Sequence, residues 1–290
     1  MFIAALLSGL VLGGTYALVA MGLTLQYGIS RIMNLAYGEM IISAAFLAYV
    51  LFSNLGINPV AGLVFAVPFG FVLGYLVYGV MMSPLVARAR DKASLEIDSI
   101  LATFGLLFVI QGVMLVLFGA NFTSYSYLND PVTIFGATLA TNRVLALVLA
   151  LVLGGGLYLV LTRTLWGTAL RAVAVNPAAA PLVGIDVNRA ARLAFALGGA
   201  LAASGGVVIS MYQTFTATSG VVFTMKALIV VIMGGVGNIL GALSAGLLLG
   251  LVETFVSTYI DPGLTLAATY MIFLAVLLWR PAGLFGRIAR

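Results

Sequence analysis

The 290-residue chain contains no cysteine and no histidine. The first absence excludes a disulfide framework and thiolate metal sites. The second removes imidazole, so Ser-His and Cys-His nucleophile pairs and histidine-based metal catalysis are unavailable. Charge is scarce too, at 7% of residues, whereas 63% are hydrophobic. No soluble core needs that much apolar surface, and apolar runs near the length of a bilayer span place the chain among polytopic helical membrane proteins. The net charge of +5 does not mark a nucleic-acid surface, because the basic residues are scattered between apolar runs and form no patch. A phosphate-cradling G-x-x-x-x-G-K-[ST] loop is also missing, and Gly234-Gly235-Val236-Gly237 has no strand before it. The chain is therefore not expected to bind ATP itself.

Nine apolar runs are present, at about 2–26, 32–52, 60–82, 95–118, 144–161, 193–211, 221–236, 240–257 and 264–279. The start has no basic n-region and no cleavage pattern before the next run, so it reads as a retained first helix. Between the fifth and sixth runs, residues 163–192 carry four arginines and an aspartate. This interlude is too long for a turn and too polar to cross lipid. Placing it in the cytoplasm puts all but Arg143 and Lys226 of the thirteen basic residues on that side, Arg31, Arg88, Arg90, Lys92, Arg280, Arg287 and Arg290 included. Odd parity then predicts an external amino terminus and an internal carboxyl terminus. The largest external segment is 119–142. The seventh run is short for a span and is expected to be a short or broken helix.

A second break falls at 28–38, where glycine, asparagine and arginine interrupt apolar sequence. Each break follows a long span and leads into a helix with an ionisable residue, Glu39 after the break at 28–38 and Lys226 after the other. The two helices would run in opposite directions, as expected of an inverted repeat. Glu39, Lys226 and Glu253 stand out because charges within spans face a bundle interior or a wet cavity. Lys226 and Glu253 fall at similar depths and are candidates for an intramembrane ion pair. Glu39 is a candidate either for the translocation pathway or for stabilising the start of its helix. The spaced glycine pairs Gly9/Gly13, Gly70/Gly74, Gly237/Gly241 and Gly246/Gly250 suit close helix packing in lipid. Within the interlude, alanine-rich 169–183, with Pro177 at a helix start and Gly184 just past its end, predicts a short cytoplasmic helix.

Several strings, taken in order, resemble the branched-chain amino acid permease family of ABC importers, specifically its LivH-like subunit, over nearly the whole chain. They are GISRIMNLAYGEM at 28–40, LRAVAVNPAAAPLVGIDV at 170–187, MKALIVVIMGGVGNILGALSAGLLLGLVE at 225–253 and RPAGLFG at 280–286. Tyr37 departs from the pattern, since these permeases usually carry histidine there. The resemblance implies a heteromeric importer in a bacterial cytoplasmic membrane, with a second homologous permease, two cytoplasmic ATPases that bind ATP and magnesium, and a periplasmic or extracellular substrate-binding protein. It implies that the interlude couples to an ATPase, with Arg171, Asn176, Pro177, Gly184 and Asp186 as candidates, and that Asn34, Tyr37, Gly38 and Glu39 are pathway candidates.

The expected protein is thus an all-α transmembrane bundle of about nine spans or partial spans, forming one permease domain over 1–290 with a cytoplasmic coupling helix. Its expected function is import of branched-chain or other hydrophobic amino acids by alternating access, driven by separate ATPase chains, with no enzyme chemistry and no cofactor of its own. Alternatives are an ABC permease for urea or short amides and an ion-coupled secondary transporter.

Overall fold

The computed structural model of the chain describes residues 1–89 and 91–286. Arg90, Arg287 and Arg290, counted above among the cytoplasmic basic residues, lie outside the described residues. In chain order the elements are α1 (Phe2–Ser30), α2 (Tyr37–Leu55), α3 (Pro59–Leu76), α4 (Ser83–Arg88), α5 (Lys92–Phe118), a hairpin of β1 (Pro131–Ile134) and β2 (Ala137–Ala140), α6 (Thr141–Arg163), α7 (Leu165–Val175), α8 (Val187–Ser210), α9 (Gly220–Gly234), α10 (Ile239–Tyr259) and α11 (Thr265–Trp279). A π-helical segment, Val77–Met82, joins α3 to α4 as one long rod. Among the described residues, eight helices are long and apolar enough to cross a membrane, and α7 and α9 are shorter. The chain is a polytopic helical bundle. With 15 residues, α9 rises about 22 Å, less than the roughly 30 Å hydrocarbon core, so it is the partial span expected at 221–236.

The ends of the helices follow from short polar side chains in otherwise apolar sequence. Asn58, Asp186 and Asn238 accept the first free N–H groups of α3, α8 and α10, from Val60, Arg189 and Gly241. At the start of α5, Asp91 and Ser94 cap one another, and the bonds from Ser94 hold the exposed Asp91 carboxyl below the usual carboxylate range. The hairpin turns through Phe135 and Gly136, both at positive φ, as the twist of a tight two-residue turn requires.

The most buried helix, α8, packs against α1, α2, α3 and α6. α1 and α10 cross antiparallel where Gly9 and Gly13 face Gly246 and Gly250, with no room for a Cβ on any of the four. Hydrophobic drive between helices is small in lipid, so such backbone contact supplies the attraction. α5 and α11 are the least buried spans, with Phe108, Val116, Met271 and Leu278 among their outward residues.

The interlude departs from the expected short helix starting at Pro177 and ending before Gly184. α7 begins at Leu165, where Thr164 accepts the Gly167 N–H, and ends at Val175. Asn176 is extended, at φ −148° and ψ 91°, because the residue before a proline avoids the helical region. Pro177 therefore follows a helix and opens a turn. A separate 3-10 turn, Ala180–Val183, stops at Gly184, whose φ is +77°.

Candidate translocation site at two broken helices

α1 is followed by a chain reversal. Arg31 takes a left-handed conformation, with φ 57°, and residues 32–36 climb back beside the helix they have just left. Asn34 Nδ2 donates to Gln26 Oε1 at 3.2 Å, and the Tyr37 hydroxyl donates to the Val19 carbonyl at 2.8 Å. From Tyr27 to Val19 the climb spans about 12 Å of α1. Asn34 is fully buried and spends its other polar atom on the Ala36 N–H at 3.1 Å. Asn34 and Tyr37 thus hold the break in place.

α2 begins inside the bundle. The Ile41 carbonyl lies against Gly206, one turn from the end of α8, so Gly38 sits about 10 Å below that end. Here α2 meets the start of α9. Gly38 lies so close to the carbonyl of Gly220, the first residue of α9, that it has no space for a Cβ. The Gly38 N–H donates to Thr224 Oγ1 at 2.8 Å. From this junction the helices run to opposite ends of the bundle. Beyond α2, Asn58 accepts a bond from Tyr127 in the long loop between α5 and α6. The far end of α9 meets 283–286, and Gly237 just beyond it lies on Gly28 near the end of α1. Two helices that start together inside the bundle and diverge are the arrangement of an inverted repeat.

Glu39 lies at this junction, in the first turn of α2, and is fully buried. Its carboxylate covers Gly220, occupying the space a side chain there would take. Among the described residues, neither carboxylate oxygen has a hydrogen-bond partner. It does not reach back to cap α2, whose N-cap is Ala36 without a side-chain bond. What it faces are the positive dipole ends of two helices, its own and α9.

Lys226 and Glu253 are brought together, with Nζ 2.9 Å from Oε2. Glu253 also accepts from the Tyr16 hydroxyl at 2.8 Å and from Thr269 Oγ1 at 2.7 Å. Both carboxylate oxygens are therefore occupied, and α1, α9, α10 and α11 are tied at one point. Glu39 and this pair form two separate polar centres.

The interlude candidates are spread over an exposed surface. Arg171 lies on α7 with Thr168 at 3.3 Å. Asn176 Oδ1 accepts from the Ala178 and Ala179 N–H groups, shaping the turn that Pro177 opens. Asp186 caps α8 and pairs with Arg189 at 3.1 Å. Around them Leu165, Trp166, Val175, Leu182 and Val183 are all exposed, and a cleft of about 380 Å³ lies between α7 and the start of α8.

Residues that sequence reasoning did not single out complete both centres: Tyr16 and Thr269 around Glu253, and Gln26, Gly220 and Thr224 around the broken ends. Their shared signal is a polar or side-chain-free residue inside an apolar run.

The chain is a multi-pass bundle with two helices starting together in its interior and a structured interlude at one end. The family model described as branched-chain amino acid transport system / permease component matches residues 5–279, and the chain belongs to that family. It is 29% identical to the high-affinity branched-chain amino acid transport system permease protein BraD of Pseudomonas aeruginosa, covering 99% of this chain and 96% of that protein. Against the permease protein LivH of the corresponding Escherichia coli K12 system it is 27% identical, with the same coverage. A solved chain of PsaBC from Streptococcus pneumoniae in complex with Fab shares the fold at a TM-score of 0.50 and 13% identity, covering 97% of this chain and 92% of that one.

Proposed function

We propose that this chain is one permease subunit of an ATP-driven importer that carries branched-chain or other hydrophobic amino acids by alternating access. Partner chains would supply the rest: a second related permease, two ATPases holding ATP and magnesium, and a substrate-binding protein. The observation that carries the reading, beside the family, is the apolar surface of the interlude. Leu165, Val175 and Leu182 are 88%, 82% and 86% exposed on a segment outside the spans, a cost that burial against a partner removes at about 25 cal/mol per Å². In this reading the interlude is cytoplasmic, the amino terminus is external, and closure of the ATPases pushes α7 as a rigid body. The pathway passes the broken helices at Asn34–Glu39.

Cross-linking tests the coupling. A photoreactive or thiol cross-linker at Asn176→Cys should join this chain to an ATPase subunit in the active complex. Cross-links that reach only lipid or the substrate-binding protein, from a complex that still imports, would contradict it.

A further inference from the structure

We propose that Glu39, set on Gly220 at the start of α9, is a binding site for a primary ammonium group, and that the Gly38–Gly220 contact is the closed gate over it. This rests on the reading of the chain as an amino acid permease and names the group that the pathway recognises.

The first ground is an energetic deficit at Glu39. The carboxylate is fully buried and both of its oxygens lack a hydrogen bond among the described residues. A buried carboxylate without partners costs several kcal/mol, whereas a helix N-terminus returns typically 0.3–1 and at most about 2 kcal/mol. Two N-termini therefore hold the charge without fully compensating it. Glu253 shows how this chain satisfies a buried carboxylate whose role is structural: its two oxygens receive bonds from Tyr16, Lys226 and Thr269. Glu39 receives none. A proton or a cation with donors would remove the deficit, and the cation that also supplies several donors at once is an alkylammonium, with three. An anion is excluded by the carboxylate itself, and a neutral apolar group would leave the deficit in place.

The second ground is the way the site is closed. The Glu39 carboxylate is buried against Gly220 at the start of α9, and parting α2 from α9 would open it. At the junction two glycines meet, the Gly38 N–H donates to Thr224 Oγ1, and the Thr224 hydroxyl lies 3.2 Å from the Leu35 carbonyl just before α2. Beyond the glycine contact, Phe223 of α9 packs against the cluster that contains Ile42, Ala45 and Phe46 of α2, so parting the two helices also unseats that side chain. The residue whose missing Cβ admits the carboxylate, Gly220, also belongs to the helix that must move. A substrate ammonium reaching Glu39 would replace the α9 dipole as its counter-charge and favour the parted state.

The test uses charged thiol reagents on the cysteine-free chain in the assembled importer. Thr224→Cys lies on the gate, and Ser43→Cys lies one turn along α2 from Glu39 and serves if the first variant is poorly assembled. Modification by cationic methanethiosulfonate ethylammonium and by its anionic ethylsulfonate counterpart is measured by mass spectrometry, at rest and during ATP turnover with the binding protein and leucine. The expected result is protection at rest and reaction during turnover, with a preference for the cation that falls by about tenfold or more when Glu39→Gln is added. Equal reactivity with both reagents, or a preference unchanged by Glu39→Gln, overturns the ammonium site. Protection of both cysteines throughout turnover, in a complex that takes up leucine, overturns the gate while leaving the transport function intact. Modification with the expected charge preference in a complex that hydrolyses ATP but imports no amino acid supports the site and contradicts the functional reading instead.

Discussion

Replacing Glu253 by glutamine removes the counter-charge of Lys226 and leaves the geometry of the site in place. Lys226 Nζ then keeps only the Tyr16 hydroxyl as a close partner. Its side chain is 18% exposed and that of Glu253 6%, so the stranded ammonium has little water to turn to. Breaking a buried pair in this way costs about 3–5 kcal/mol. The partial exposure of Lys226 and the amide oxygen left for Tyr16 or Thr269 place Glu253→Gln near the low end. Lys226→Met strands the carboxylate instead, but Tyr16 and Thr269 still donate to it, so a loss of about 2 kcal/mol is expected. In the double variant no charge remains to be stranded, and the loss should be smaller than the sum by about 2 kcal/mol or more. Equilibrium unfolding of the purified protein in mixed micelles, run as a double-mutant cycle, reads this coupling directly. Losses that add to within about 0.5 kcal/mol would show that the two residues do not interact, and the contact binding α9 to α10 would have to be withdrawn.

The other predictions concern orientation, the interlude and the junction glycines. Single cysteines at Asn129 and Asn176, probed in intact cells with an impermeant reagent, should label at Asn129 only; the reverse pattern would invert the bundle. Gly184→Val forces a β-branched residue to a φ of +77°, at about 1–2 kcal/mol, and should lower the uptake achieved per ATP hydrolysed, whereas Gly184→Asn, which tolerates that conformation, should restore it. Gly38→Ala places a methyl on the Gly220 carbonyl, a backbone atom, and should abolish folded yield in size-exclusion chromatography. Gly220→Ala meets only the flexible end of Glu39, so the complex should assemble while leucine uptake falls.

The membrane bundle was legible because eight of its helices are plain apolar runs. Lys226 and Glu253 were legible for the same reason: a charge inside such a run has few places to go. The break at 28–38 was visible as polar residues between two spans, and Glu39 as the carboxylate after it. The second broken end was legible to within a residue as the start of the short run at 221–236, but the sequence could not show that Gly220 itself lies against Gly38 and Glu39. Nor could it show that Thr224 bonds the Gly38 N–H across 186 residues. Tyr16 and Thr269 were hidden because aromatic and hydroxyl residues in spans usually pack or bond their own helix. In the interlude, two local rules competed. Alanine content, Pro177 and Gly184 favoured a short helix from Pro177 to Val183, but Thr164 offers an earlier start at Leu165 and Pro177 ends that helix by keeping Asn176 extended. The local cap and the proline decided the boundaries.

Uptake by the reconstituted complex addresses the main proposal most directly. The chain, its partner permease and two ATPases are placed in liposomes, and radiolabelled leucine is supplied with the cognate binding protein. Accumulation that requires ATP on the interlude side, and that Glu39→Gln reduces without loss of assembled complex, is the predicted result. ATP hydrolysis that moves no branched-chain or other hydrophobic amino acid, or leucine uptake driven by an ion gradient without ATP, would contradict it.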